Sequence, residues 1–147
     1  MIRAATLNDV APLVELGARM HEESPRFSRL RFDAGRLAST LKLLIESDAG
    51  FVVVHEVDGI LLGGMVATIV PHWCSTDTVA TDLALYVVPE SRGGMVPAWL
   101  VHRYVQWAKD RGATIVQVGV TTGVRTEDTA RLLEALGLRR CGVILEA

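Results

Sequence analysis

Apolar and polar positions change period several times along the chain, and each change predicts a new element. Ile2 to Ala5 reads as a short strand, and Thr6 or Asn8 can cap the helix behind it, with Asp9 in the favourable first turn. Val10, Leu13, Val14, Leu16, Gly17 and Met20 then recur at helical spacing, which predicts a helix running toward Glu23 and broken by Ser24-Pro25. Arg26 to Arg31 reads as a loop or short turn. Asp33 can cap a second helix whose buried stripe includes Leu37, Leu41, Leu44 and Ile45, ending near Asp48-Ala49-Gly50.

The period then drops to that of strands. Phe51 to Val57 is rich in β-branched residues, and Asp58-Gly59 is a two-residue hairpin signal that returns the chain as Ile60 to Val70. Gly63-Gly64 inside this strand predicts a bulge or a close backbone contact. Pro71 to Thr78 forms a loop carrying His72, Trp73 and Cys74. Leu83, Leu85 and Val87 alternate with Asp82, Ala84 and Tyr86 as a fourth strand, stopped by Pro89. Arg92-Gly93-Gly94 makes a sharp turn, and from Met95 onward Trp99, Leu100, Tyr104, Val105 and Ala108 trace a helix closed by Gly112. Thr114 to Val120 is a compact strand, Thr121 to Thr126 a polar loop, and Glu127-Asp128 opens a fourth helix ending at Gly137. Leu138 to Leu145 supplies one more strand. The order β-α-α-β-β-β-α-β-α-β describes a mixed α/β sheet with helices on both faces, and no repeat or linker divides residues 1–147.

Composition narrows the class. The 147 residues are 50% hydrophobic and 22% charged, which suits a chain with a continuous core and argues against disorder. No apolar run approaches the ~18 residues of a membrane span. Met1-Ile2-Arg3 enters the strand pattern without a secretory signal, so a cytoplasmic protein is expected. Cys74 and Cys141 lack metal-ligand spacing, so reduced thiols and no metal are expected. A net charge of −2 gives no general attraction to nucleic acid, although the stretch from Arg19 to Lys42 carries a local basic excess that reads as a solvated helix face.

The turn after the fourth strand carries the candidate chemistry. A strand feeding a glycine turn and a helix start aims several backbone N–H groups at one point, a geometry that attracts anions. Arg92 adds a planar, permanently charged fork. Val87-Val88-Pro89-Glu90-Ser91-Arg92-Gly93 and the helix behind it resemble the acyl-CoA-binding segment of the GNAT superfamily of N-acyltransferases. The likeness runs from Ile2-Arg3-Ala4-Ala5-Thr6 and Asp9 to Leu136-Gly137-Leu138. The family pattern places a glycine where this chain has Met95 and a glycine or alanine where it has Pro97, so Gly93 and Gly94 are expected to provide the close approach.

The resemblance implies acetyl-CoA as acyl donor and direct attack of a small-molecule or peptide amine on its thioester. It assigns the donor to Val87 and Val88 through exposed backbone, and to Arg92, Gly93, Gly94, Met95, Val96 and Ala98 around the pyrophosphate. Asp82 is the acid nearest to the glutamate that several relatives carry on this strand, though its pleat parity fits only if a bulge intervenes. His72 is the other candidate base. The family's usual tyrosine on the last helix is replaced by Leu133, which leaves Tyr86 as a candidate acid. Glu22 and Glu23 at the end of the first helix, and Trp73, are candidate acceptor contacts, whereas Trp99 and Trp107 read as packing groups. The alternatives are a ligand-binding protein of the same fold without transfer, and a member acting on a modified nucleic acid, for which the Arg26 to Arg36 segment is the support. The family places two strands after the last helix and only one fits here, which predicts an open sheet edge covered in a homodimer.

Overall fold

The computed structural model describes residues 1–147 and contains five strands and four α-helices. In chain order these are β1 (Ile2–Ala4), α1 (Val10–Glu23), α2 (Ala34–Glu46), β2 (Gly50–Val57), β3 (Ile60–Pro71), β4 (Thr78–Val87), α3 (Val96–Asp110), β5 (Ile115–Gln117) and α4 (Thr126–Ala135). The strands form one sheet in the order β1-β2-β3-β4-β5, antiparallel throughout except for the parallel pair β4 and β5. This is the mixed α/β sheet flanked by helices that the patterning predicts, and most of its pairs are antiparallel as the family resemblance implies.

Alternation along β2 sends its residues into two different cores. Phe51 and Val53 join Met65, Ala67, Ala80 and Val87 beneath Leu100, Val101 and Tyr104 of α3 and Leu133 of α4. Val52 and Val54 meet Val10, Leu13 and Leu16 of α1 and Leu41 and Leu44 of α2 on the opposite face. Each fully buried aliphatic side chain stabilises the fold by about 1.5–3 kcal/mol. Local signals close the elements. Asp33 accepts the N–H of Arg36 at the start of α2, and Asp58 and Gly59 take φ of 50° and 80° in the hairpin turn. Gly63 and Gly64 mark a close backbone approach: an added Cβ would lie 2.7 Å from the Tyr86 carbonyl oxygen or 2.8 Å from that of Val53.

Asp9 does more than favour a helix start. It is 6% exposed and receives Arg3 in a bidentate pair at 2.8 and 2.9 Å, along with the Thr6 N–H at 2.7 Å. Arg3 also donates to Glu56 on β2, so one guanidinium ties β1, α1 and β2 together.

Three expectations are corrected. Leu138 to Leu145 does not form a strand: residues 139–147 are exposed and irregular, held by charge rather than by a ladder. Arg140 pairs with Glu127 and Glu134 of α4, and Glu146 pairs with Arg26 and Arg29 in the α1–α2 connection. The β5 strand is three residues long rather than seven, because the chain after Gln117 leaves its neighbour. Trp107 packs on Phe51 and Tyr104, but Trp99 is 54% exposed and belongs to no core. No helix is long and apolar enough to cross a membrane.

Candidate active site

The site begins where β4 and β5 part. They pair only at Val79 with Ile115, Ala80 with Val116 and Thr81 with Gln117. The next link is a side chain, since the Gly119 N–H donates to the Asp82 carboxylate at 2.7 Å. Beyond it the outer edge of β4 is open through Val87, and a cleft of about 320 Å³ lies between this edge, the ends of α1 and α3, and residues 118–132.

Register settles which way β4 presents its groups. Val66 opposes Ala84 while Ala67 opposes Asp82, so Leu83 is an extra residue, a bulge in the strand. The strict alternation expected for residues 82–87 therefore breaks, and Asp82 falls on the α3 face with Leu85 and Val87 instead of opposite them. Burial at the fork raises the Asp82 pKa above the ordinary carboxylate value, with the Gly119 N–H opposing in part. The Val88 N–H donates to the Leu62 carbonyl, so Val88, Tyr86 and Ala84 turn their backbone toward β3. Leu85 and Val87 turn theirs into the cleft. Val88 thus departs from expectation: its side chain is fully buried, and its carbonyl accepts the Ser91 N–H.

At the top of the cleft a single 3₁₀ turn, Pro89–Ser91, leads through Arg92 to Gly93, whose φ of 93° no L side chain adopts without strain. The N–H groups of Gly93, Gly94, Met95, Val96 and Ala98 find no acceptor within the protein; the first helical bond is that of Trp99 to Met95. A Cβ at Gly93 or Gly94 would meet nothing within 4 Å, so the space before these donors is open. Unpartnered donors at the positive end of α3 suit an anion such as a pyrophosphate. Met95 is 57% exposed, and Pro97 stands in the first helical turn, where its missing N–H breaks no helical bond.

Arg92 is differently engaged from the free phosphate ligand expected. Its guanidinium donates to both carboxylate oxygens of Glu23 at 2.5 and 2.6 Å, its Nε to the Val87 carbonyl at 2.8 Å, and it lies 5.4 Å from the Tyr86 ring centre. Arg92 holds the Glu23 carboxyl below its ordinary pKa, while burial, and next the Glu23 charge, raises that of Tyr86. Arg19 and Glu90 pair just outside.

The fold therefore gathers Asp82, Tyr86, Val87, Arg92, Gly93, Gly94 and Glu23 around one cleft. It does not bring His72, Trp73 or Glu22 there. His72 lies at the tip of the β3–β4 hairpin against Trp73 and Cys74, Trp73 is 89% exposed, and Glu22 faces solvent. Sequence reasoning missed Gly119 as a partner of Asp82, and it missed Thr121, Thr122, Arg125 and Asp128 on the far wall. The polar run from Thr121 to Thr126 was their only signal. Ser24, 1% exposed, donates to the Thr122 carbonyl at 2.5 Å and locks the end of α1 onto this wall. Leu133 is buried in the core, so this position of α4 brings no phenol to the cleft.

Comparison with known proteins places the chain among others of this fold. No curated protein sequence matches the chain. Among solved structures, an aminoglycoside N-acetyltransferase, AAC(6')-Iy, in complex with CoA superposes with a TM-score of 0.80 at 15% identity, covering 100% of this chain and 92% of that one. A transcriptional regulator from Bacillus halodurans C-125 gives 0.79 at 21% identity, with 100% and 97% coverage. An aminoglycoside acetyltransferase from an uncultured soil metagenomic sample gives 0.74 at 19%, with 100% and 96% coverage. At these identities the likeness is one of fold. The profile of the Acetyltransferase (GNAT) family matches residues 17–138, most of the sequence and all of the cleft, and the chain belongs to that family.

Proposed function

We propose that the protein is an acetyl-CoA-dependent N-acetyltransferase of a primary amine, with residues 1–147 acting as one domain. The observation that carries this reading is the row of unpartnered N–H groups from Gly93 to Ala98, set at the open end of the β4–β5 fork. The bound donor supplies an activated thioester. Gly93, Gly94, Met95, Val96 and Ala98 hold its pyrophosphate by main-chain N–H groups, and the cleft-facing backbone of Leu85 with the N–H of Val87, whose carbonyl is taken by Arg92, aligns its pantetheine arm in the way that Val88 cannot.

Asp82 takes the proton of the attacking amine. Its raised pKa improves the carboxylate as a base, and only one of its oxygens is engaged, by Gly119. Tyr86 carries its proton at neutral pH, as an ordinary phenol does and more so with its pKa raised, and with Leu133 on α4 it is the phenol available to protonate the departing thiolate. His72 has no part in this chemistry, because it lies at the turn of the β3–β4 hairpin, at the opposite end of β4 from Val87. Glu23 provides the charge for a cationic acceptor. Pairing of Arg26 and Arg29 with Glu146 reduces the free basic charge of the segment that would otherwise support a nucleic-acid acceptor. We further infer a cytoplasmic homodimer, since the outer edge of β5 is unpaired and Val143, Ile144 and Leu145 are exposed. The test is release of free thiol from acetyl-CoA across a panel of amines, including aminoglycosides, polyamines and peptide N-termini. Release above the water rate with any amine supports transfer. Acetyl-CoA binding without release from any of them assigns a binding role instead.

A further inference from the structure

One contact in the cleft belongs to neither end of the proposed reaction. Glu23 closes α1 on the acceptor side and Arg92 opens the phosphate turn, yet the two grip each other through both carboxylate oxygens. We propose that this ion pair is an exchangeable link, in which Arg92 leaves Glu23 for the pyrophosphate of the donor and the freed carboxylate becomes the site for the acceptor's ammonium. The inference rests on the donor reading above and adds to it a coupling between the two substrate positions through one ion pair.

Position argues for exchange. Arg92 immediately precedes Gly93, the first of the unpartnered donors, and lines the same cleft as Gly93 and Gly94, so an anion held on those N–H groups shares the cleft with its side chain. Phosphate accepts the same planar fork as a carboxylate, with comparable strength. The two side chains are 23% and 26% exposed, which leaves the pair open to a competing anion from the cleft.

The backbone that carries Glu23 is held in place when Arg92 moves. The residue after it, Ser24, is fixed to Thr122, and the next, Pro25, packs against Gly123, where a Cβ would lie 2.9 Å from the proline Cγ. The pair therefore breaks rather than shifts as a body. The other arginine near Glu23, Arg19, already donates to both oxygens of Glu90. Loss of Arg92 leaves a half-buried carboxylate facing the cleft beside Tyr86 with no cation of its own, and an ammonium satisfies it. By linkage, each substrate then tightens the binding of the other.

Acetyl-CoA alone provides the test. Calorimetric titrations are compared for the wild type, Glu23→Gln, Arg92→Ala and the double variant, with thermal midpoints recorded for each. Removing the competing carboxylate should tighten acetyl-CoA binding by roughly threefold to tenfold, because Arg92 no longer has to abandon a charged partner. Arg92→Ala should weaken binding roughly tenfold, and the double variant should match Arg92→Ala, since Glu23 acts only through Arg92. A merely structural ion pair predicts lower midpoints and no tightening in Glu23→Gln. Wild-type binding with unchanged or weaker affinity in Glu23→Gln overturns the link and leaves the donor site standing. Absence of acetyl-CoA binding in the wild type removes the donor reading and the link together.

Discussion

Asp82 offers the sharpest separation of catalysis from structure, because its carboxylate has two tasks. One oxygen accepts the Gly119 N–H at 2.7 Å and holds the fork where β4 and β5 diverge; the carboxyl as a whole is the proposed base. Asparagine keeps an oxygen for Gly119 and removes the basicity. A raised carboxyl pKa means that the folded protein disfavours the charged form, so the ionised side chain weakens the fold above its folded pKa. Asp82→Asn should accordingly be as stable as the wild type or slightly more so at neutral pH. Loss of a general base lowers turnover by roughly 10²-fold or more. Asp82→Ala lacks both functions and leaves the Gly119 N–H to water, at a cost of about 0.5–1.5 kcal/mol because the bond is exposed. Thiol release and chemical denaturation measured on both variants form the assay, with acetyl-CoA affinity little changed in Asp82→Asn. Turnover of Asp82→Asn within about threefold of wild type refutes the base assignment. A loss of stability equal to that of Asp82→Ala refutes the account of the Gly119 bond.

Asp9→Asn breaks the bidentate pair with Arg3, and part of the usual 3–5 kcal/mol for breaking a buried pair is relieved because the Arg3 side chain is 29% exposed and keeps Glu56. A loss of about 2 kcal/mol, or roughly 4–8 °C in thermal midpoint, is expected. The Asp9 pKa is depressed by Arg3, so its contribution is present above the ordinary value of 3.8 and fades as pH falls below it; the asparagine variant should lack that acid-dependent loss in a pH series of midpoints. Gly93→Ala forces an L residue to φ of 93° and should cost about 1–3 kcal/mol by denaturant midpoint while weakening acetyl-CoA binding by calorimetry. Light scattering at micromolar concentration should give twice the 16.0 kDa chain mass, and Ile144→Lys should return it to monomer; a monomer mass for the wild type refutes the dimer.

Much of this molecule was legible because its local signals agree with its packing. The Asp58-Gly59 hairpin, the Asp33 cap and the change of period between residues 20 and 51 each fix a few dihedral angles whatever the remainder of the chain does. The strand-turn-helix at residues 82–110 was readable for the same reason: the glycine turn both ends the strand and exposes the donors. The choices that escaped were those among partners. Leu83 and its neighbours suit a strand on either face, and only the register against Val66 and Ala67 shows the bulge that reorients Asp82. Arg92 carries the same charge and fork whether it meets phosphate or carboxylate, and Glu23, its partner, is 69 residues away.

The C-terminal segment and β5 failed together, for a cooperative reason. Thr114 to Val120 has strand propensity, and Leu138 to Leu145 has apolar side chains, but a strand needs a neighbour along its length. The Asp82 link to Gly119 ends the β4–β5 ladder early, since the side chain takes a donor that a longer strand would use. A three-residue strand then gives the C-terminal segment too short a template, and Arg140 and Glu146 find ion pairs on α4 and the α1–α2 connection instead. The departure that opens the edge of β4 therefore also leaves the outer edge of β5 unpaired, while Val143, Ile144 and Leu145 stay exposed. Cleft and edge are consequences of the same fork, and a substitution that lengthens the ladder at residues 118–120 should close one as it covers the other.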